Sequence, residues 1–130
     1  MSQIVYTDGS CAPTNPGPGG WAFIALDYKG SEWHVSGGDD YSTNNKMELN
    51  AVIQSLSFLC DKKSFHIYTD SMYVINCASG KWKRHKNICL WKEYENVSKG
   101  KNIKFFWVKG HSGNKYNEQV DILAKNETKK

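Results

Sequence analysis

No stretch of this 130-residue sequence approaches the roughly 20 consecutive apolar residues that a bilayer-crossing helix needs. Met1-Ser2-Gln3 leads straight into a strand-like segment, so neither a signal peptide nor a membrane anchor is expected. The four cysteines, Cys11, Cys60, Cys77 and Cys89, include no Cys-x-x-Cys pair, and His34, His66, His85 and His111 stand at no ligand spacing from them. That argues against zinc. Three of the cysteines fall in apolar or helical surroundings, where a free thiol behaves as a small hydrophobe. A reduced, intracellular and most simply cytoplasmic protein is the expectation. Charge imbalance is slight as well: 17 Lys and Arg against 13 Asp and Glu leave a net +4. Such an excess suits a polyanionic partner without deciding for one. Repeats, low-complexity segments and linkers are absent, so residues 1–130 read as one domain around one core. Nothing marks an obligate protein partner, and a monomer is expected.

What the chain does have is aromatic side chains and clear periodicity. Five Trp, seven Tyr and five Phe supply a core generously for this length. Residues 3–8 read as a strand, followed by a Gly/Pro-rich loop from Gly9 to Gly20. Trp21 to Tyr28 is a second strand, Lys29-Gly30 a turn, and Glu32 to Ser36 a third strand ending at Gly37-Gly38. Short connections imply antiparallel pairing among these three. The period then changes. Leu49, Val52, Ile53, Leu56, Leu59 and Cys60 recur at helical spacing, which predicts a helix over 45–60. Ser64 to Thr69 is a fourth strand, and Ser71 to Ala78 a short helix. A basic stretch, Lys81 to Lys86, precedes a helix from Ile88 to Val97. Asn102 to Val108 is the last strand and Asn117 to Glu127 the closing helix, before a solvated pair of lysines. Strands joined through helices in the second half pair in parallel by crossover. The expected class is α/β: a mixed sheet covered by helices.

Two strands end alike. Tyr6-Thr7-Asp8 closes the first and Tyr68-Thr69-Asp70 the fourth. If these strands are parallel neighbours, both aspartates emerge at one carboxyl edge, where open α/β sheets place ligands. Each acid also has a plainer explanation. Asp8-Gly9 is a common turn pair. Asp70 could cap the helix beginning at Ser71. Glu48 stands three after Asn45, the spacing of a capping box. Asp121 could be a solvated acid near a helix start. Taken together, however, four converging carboxylates would repel and take up protons unless a cation neutralised them. Oxygen-only ligands select a hard ion such as Mg²⁺ or Mn²⁺.

These residues belong to a longer pattern. Thr7-Asp8-Gly9-Ser10-Cys11, Asn15-Pro16-Gly17-Pro18-Gly19-Gly20, Thr43-Asn44-Asn45-Lys46-Met47-Glu48-Leu49, Thr69-Asp70-Ser71, Trp107-Val108-Lys109-Gly110-His111-Ser112-Gly113, then Asn117-Glu118 and Asp121, occur in one order along nearly the whole chain. On them the sequence resembles the type 1 ribonuclease H family, in a short-handle form. The resemblance implies a ribonuclease H-like fold whose five-stranded mixed sheet has three antiparallel strands followed by two parallel ones. It implies an endonuclease that cuts the RNA strand of an RNA–DNA hybrid with two Mg²⁺ ions, Mn²⁺ being an alternative, leaving 5′-phosphate and 3′-hydroxyl ends. Asp8, Glu48, Asp70 and Asp121 match the family's metal-binding carboxylates, and Glu118 a position near the second metal. Glu118 also reads as a first-turn acid favoured by the helix dipole. His111 matches the histidine that assists proton transfer and product release; without the resemblance it is an ordinary loop histidine.

Cys11, Asn15, Asn44 and Asn45 match positions that contact the RNA 2′-hydroxyls across the minor groove. Thr43 and Asn87 resemble residues that hold a phosphate of the DNA strand. This chain departs from the pattern at three places. Tyr41 stands where many relatives carry arginine, and Met72 where many carry glutamine. The basic handle is reduced to Lys81-Trp82-Lys83-Arg84-His85-Lys86, in which Lys83, Arg84 and Lys86 are candidate phosphate contacts and Trp82 a stacking platform. A solvated basic loop is the plainer reading of that segment. Other readings of the whole chain keep the fold: a hybrid- or RNA-binding module without catalysis, or a nuclease for DNA or double-stranded RNA. A structural metal site is a further one.

Overall fold

The computed structural model describes residues 2–110 and 112–130. The chain order is β1 (Gln3–Cys11), β2 (Gly17–Leu26), β3 (Glu32–Ser42), α1 (Asn44–Phe58), β4 (Ser64–Thr69), α2 (Met72–Ala78), α3 (Ile88–Ser98), β5 (Asn102–Trp107) and α4 (Lys115–Glu127). The five strands form one sheet in the order β3-β2-β1-β4-β5. β1, β2 and β3 pair antiparallel, whereas β4 joins β1, and β5 joins β4, in parallel. The expected mixed sheet is therefore the one observed.

The first hairpin is longer than its sequence suggests. β1 continues past Asp8 to Cys11, β2 begins at Gly17, and β3 runs through Gly37-Gly38 to Ser42. The glycines taken as strand breakers are inside the ladder, because helices press directly on the backbone there. A Cβ on Gly9 would lie 2.1 Å from the Met47 carbonyl carbon in α1, and one on Gly20 would lie 2.0 Å from Ala124 O in α4. Only glycine lets both helices sit this close.

Alternation along the strands builds a layer on each face. Val5, Phe23, Phe65 and Ile67 pack with Leu49, Val52 and Leu56 of α1 and with Trp91 of α3. Ala22 and Ile24 pack on the opposite face against Val120 and Ala124 of α4. Leu49, Val52, Ile53 and Leu56 thus mark the core side of α1 as the period predicts, but the helix ends at Phe58, and Cys60 lies beyond it, exposed. Helix starts differ from expectation by a residue or two: Thr43 caps α1 and Asn114 caps α4, each accepting a hydrogen bond from the amide three residues on. All four cysteines are free thiols; Cys77 is buried, but Cys60 and Cys89 are exposed rather than packed. None of the helices in the described residues is long and apolar enough to cross a membrane.

Candidate active site

The parallel register of β1 and β4 decides where the carboxylates stand. Gln3 pairs with Phe65 and Tyr6 with Tyr68, a constant offset that brings Asp70 opposite Asp8. The Tyr6 and Tyr68 rings stack at 4.7 Å just below them. Asp8 is no turn residue: it lies within β1, paired with Ala22, and is 4% exposed. Asp70 is no cap, since Ser71 caps α2 by accepting from the Val74 amide. Glu48 is no capping-box acid either, since Thr43 holds the N-cap position and Lys46 the place three residues later. Its carboxylate accepts instead from the Gly9 amide, at 2.6 Å. The plainer explanations of these three acids fail: Asp8 lies inside a strand rather than a turn, and other residues already cap the helices beside Asp70 and Glu48.

One carboxylate oxygen each from Asp8, Glu48 and Asp70 lies within 4.8 Å of the others. Asp121, on α4, stands outside this trio but is near enough to raise the proton affinity of the Asp8 carboxyl. It also pairs with Lys125 at 3.1 Å. Glu118, in the first turn of α4, is exposed and stands outside this cluster. His111 lies outside the described residues. Burial, above all, pushes the Asp8 carboxyl up to about 8; the charges of Asp70 and Asp121 add to this, while the hydrogen bond with Glu48 opposes it. Glu48 is raised well above the usual carboxylate range by burial and then by the charge of Asp8. Crowded acids of this kind hold protons in the absence of a counter-charge, and a hard divalent cation bound by oxygens would replace those protons.

Two neighbours of Asp70 were not among the expected site residues. Trp107 Nε1 donates to the Asp70 carbonyl at 3.3 Å. A Cβ on Gly110 would stand 3.0 Å from Asp70 Oδ2. Both residues belong to the Trp107–Gly113 motif, where only His111 carries an evident chemical signal.

Three of the expected substrate residues are joined by hydrogen bonds. The Cys11 amide donates to Asn44 Oδ1 at 2.8 Å, and the Asn44 amide donates to Asn15 Oδ1 at 3.0 Å. β1, the following loop and the start of α1 are thereby tied together. Burial pushes the Cys11 thiol up, so it is uncharged at neutral pH. Asn45 is exposed in the first turn of α1. Asn87 has a left-handed backbone, φ 59°, and its amide donates to the Tyr73 hydroxyl at 2.9 Å. It lines a cavity of about 480 Å³ with Ser42, Lys46, Asn50, Asp39 and Glu93, among others. Sequence reasoning passed over Lys46, although it stands inside the Thr43–Leu49 motif.

The basic segment is divided. Lys83 and Lys86 are exposed, and Trp82 is 48% exposed. Arg84, expected beside them as a phosphate contact, is occupied internally. Its guanidinium lies 4.4 Å from the centre of the Trp91 ring and pairs with Glu95.

Comparison with known proteins points to one family. The family model described as RNase H matches residues 1–129. Ribonuclease H of Ehrlichia ruminantium (strain Gardel) is 43% identical, the match covering 95% of this chain and 92% of the relative. Ribonuclease HI of Helicobacter pylori is 44% identical, covering 100% of this chain and 96% of the relative. The solved structure of LC11-RNase H1 in complex with an RNA/DNA hybrid superposes with a TM-score of 0.84 at 22% identity, covering 98% of this chain and 97% of that one, a likeness of fold. The chain belongs to the ribonuclease H family and is a nuclease.

Proposed function

We propose that this protein is an endonuclease that hydrolyses the RNA strand of RNA–DNA hybrids with two divalent cations, leaving 5′-phosphate and 3′-hydroxyl ends. The observation that carries this reading is the convergence of Asp8, Glu48 and Asp70 oxygens within 4.8 Å. The donor set fits Mg²⁺, or Mn²⁺, because every ligand is a carboxylate oxygen. Asp8, Glu48, Asp70 and Asp121 would hold the cations, with Glu118 close to the second. Bound there, the cations lower the proton affinity of an attacking water and offset charge on the departing oxygen.

The remaining work falls to the chain itself. Gly9 fixes the Glu48 carboxylate through its amide, strand pairing holds the Asp8 backbone, and Trp107 Nε1 donates to the Asp70 carbonyl just past the end of β4. His111 takes and returns a proton near the leaving group. Asn44, oriented by its bonds to Cys11 and Asn15, and Asn45 recognise 2′-hydroxyls of the RNA strand. Thr43, Asn87 and Lys46 hold a phosphate of the DNA strand at the cavity that Ser42 lines. The Ser42 hydroxyl is buried there without a hydrogen-bond partner among the described residues, and Lys46 supplies the positive charge that Tyr41 does not.

The test is direct. Matched RNA–DNA, RNA–RNA and DNA–DNA duplexes are incubated with the protein, with and without Mg²⁺. Cleavage of only the RNA strand of the hybrid, dependent on the cation, is expected. Equal cleavage of all-RNA or all-DNA duplexes would replace this reading with that of a nuclease of other specificity. We further read residues 1–130 as one catalytic domain acting as a monomer, which sedimentation at assay concentration checks.

A further inference from the structure

We propose that Arg84 is a positioning residue. It clasps the short basic segment to the helices on either side, so that Lys83 and Lys86 are presented to the nucleic-acid backbone already in place. The inference rests on the reading that this segment grips the hybrid, and goes beyond it by assigning the segment's order to one side chain.

The segment between α2 and α3 is fastened at three points. At its start, the Trp82 amide donates to Asn76 O at 3.0 Å. At its end, Asn87 and Trp91 both donate to the Tyr73 hydroxyl, at 2.9 and 3.0 Å. Arg84 is the middle fastening. Its Nε donates to Cys77 O at 2.9 Å and Nη2 to Ala78 O at 3.4 Å. These carbonyls belong to the last turn of α2, where no basic residue of the helix itself stands by; Cys77 O also accepts from the Gly80 amide at 3.4 Å. The other edge of the guanidinium pairs with Glu95 of α3. Its plane covers Trp91, and Tyr94 lies 5.8 Å away. The Arg84 side chain is only 24% exposed, while the side chains on either side of it are open to solvent.

A guanidinium suits this task for physical reasons. Its planar fork donates to carbonyls and a carboxylate in the same plane while stacking on an aromatic face. An ammonium is a compact, strongly hydrated charge that does not do all three. The consequence for binding is entropic. A loop ordered before the substrate arrives does not lose that freedom on association. Arg84 therefore affects hybrid affinity without touching a phosphate.

The lysine variant separates the two roles, because lysine retains a phosphate contact but not the clasp. Binding of a fluorescein-labelled RNA–DNA hybrid would be titrated across a salt series in the Asp70→Asn background. The added variants are Arg84→Lys, Arg84→Ala and the pair Lys83→Ala, Lys86→Ala. If Arg84 is the clasp, Arg84→Lys and Arg84→Ala both weaken binding by about tenfold, with the wild-type salt slope. The paired lysine variant instead flattens that slope by roughly 0.7–0.9 per contact removed. Wild-type affinity in Arg84→Lys together with a flatter slope in Arg84→Ala would overturn the proposal and make Arg84 a direct phosphate contact. An unchanged slope in the lysine pair would sink the grip reading alone. Hydrogen exchange then still tests the clasp: both Arg84 variants should lose protection at the Trp82 amide while β1 and β4 amides keep theirs. Retained protection at Trp82 would refute the clasp.

Discussion

The Gly9 amide donates to Glu48 Oε1 at 2.6 Å, and the space above the Gly9 Cα is filled by the Met47–Glu48 backbone. This contact brings the α1 carboxylate to those of Asp8 in β1 and Asp70 just past β4. Gly9→Ala places a methyl group 2.1 Å from the Met47 carbonyl carbon, so α1 has to lift off β1. Overpacking of this kind costs about 1–3 kcal/mol. Misplacing a catalytic group by about 1 Å costs on the order of 100-fold in rate. Gly9→Ala should thus retain the fold, by circular dichroism, and lose about 100-fold in kcat. Near-normal turnover would show that the Gly9–Glu48 contact is dispensable.

Asp8→Asn should stabilise the metal-free protein, and more so as pH rises. The folded-state carboxyl is pushed up to about 8, chiefly by burial, against a usual 3.8. Between those values the native state holds a proton that the unfolded chain has released. Stability linked to that proton is present in full below about pH 4 and is lost as pH climbs towards about 8. Glu48 acts in the same direction. Melting temperature in chelator should fall across this window in the wild type, and fall less in Asp8→Asn. Added Mg²⁺ should reverse the trend, because its ligands must be ionised. A wild-type melting temperature that rises over the same window would contradict the crowded-acid description.

Asp8→Asn and Asp70→Asn should each nearly abolish cleavage of a hybrid while leaving the fold intact. The amide has the shape of the acid, so no cavity opens and only the charge is removed. Turnover in Mg²⁺ close to wild type in either variant would refute the metal-site assignment.

The carboxylate site was largely legible because it rests on short-range regularities. Tyr-Thr-Asp, inside β1 and at the end of β4, needs only their parallel pairing to bring Asp8 and Asp70 together, and the helical period of α1 orients its core face without reference to distant residues. What local pattern misread were features decided by distant contacts. Gly9 and Gly20 looked like a loop, since nothing nearby shows that α1 and α4 press on them. Arg84 looked like one more exposed cation in a basic run. Its engagement depends on Trp91 and Glu95, a helix turn and more beyond the segment. Lys46 was overlooked because its role comes from a cavity shared with Asn87, far along the chain.

His111→Ala should slow turnover less than loss of a carboxylate does. A positioned acid–base group typically contributes about 10²–10⁴-fold, whereas the carboxylates hold the cations themselves. Single-turnover rates for His111→Ala and Asp70→Asn, measured side by side, check the order. Equal loss in both would assign His111 to metal binding or to structure.

Lys46 carries the last prediction. Its side chain lines the cavity shared by Ser42 and Asn87, near the start of a helix whose first turn holds no acid. The helix amides there and the Lys46 ammonium favour an anion together. Tyr41, one residue before Ser42, is 69% exposed and offers no charge. If a DNA-strand phosphate is held here, it is held alike in the ground and transition states, and its loss appears in KM rather than kcat. Lys46→Ala should raise KM at unchanged kcat and flatten the log-affinity against log-salt slope by about 0.7–0.9. Adding Tyr41→Arg to Lys46→Ala should restore most of the affinity by returning a cation to the same strand end. A hybrid whose DNA strand carries one uncharged methylphosphonate, moved a position at a time, locates the contact: at one position Lys46→Ala and the wild type should bind equally. A Lys46→Ala variant with wild-type KM and salt slope would mean that the DNA strand crosses elsewhere, and that Ser42 and Asn87 serve the packing of α1 against α3.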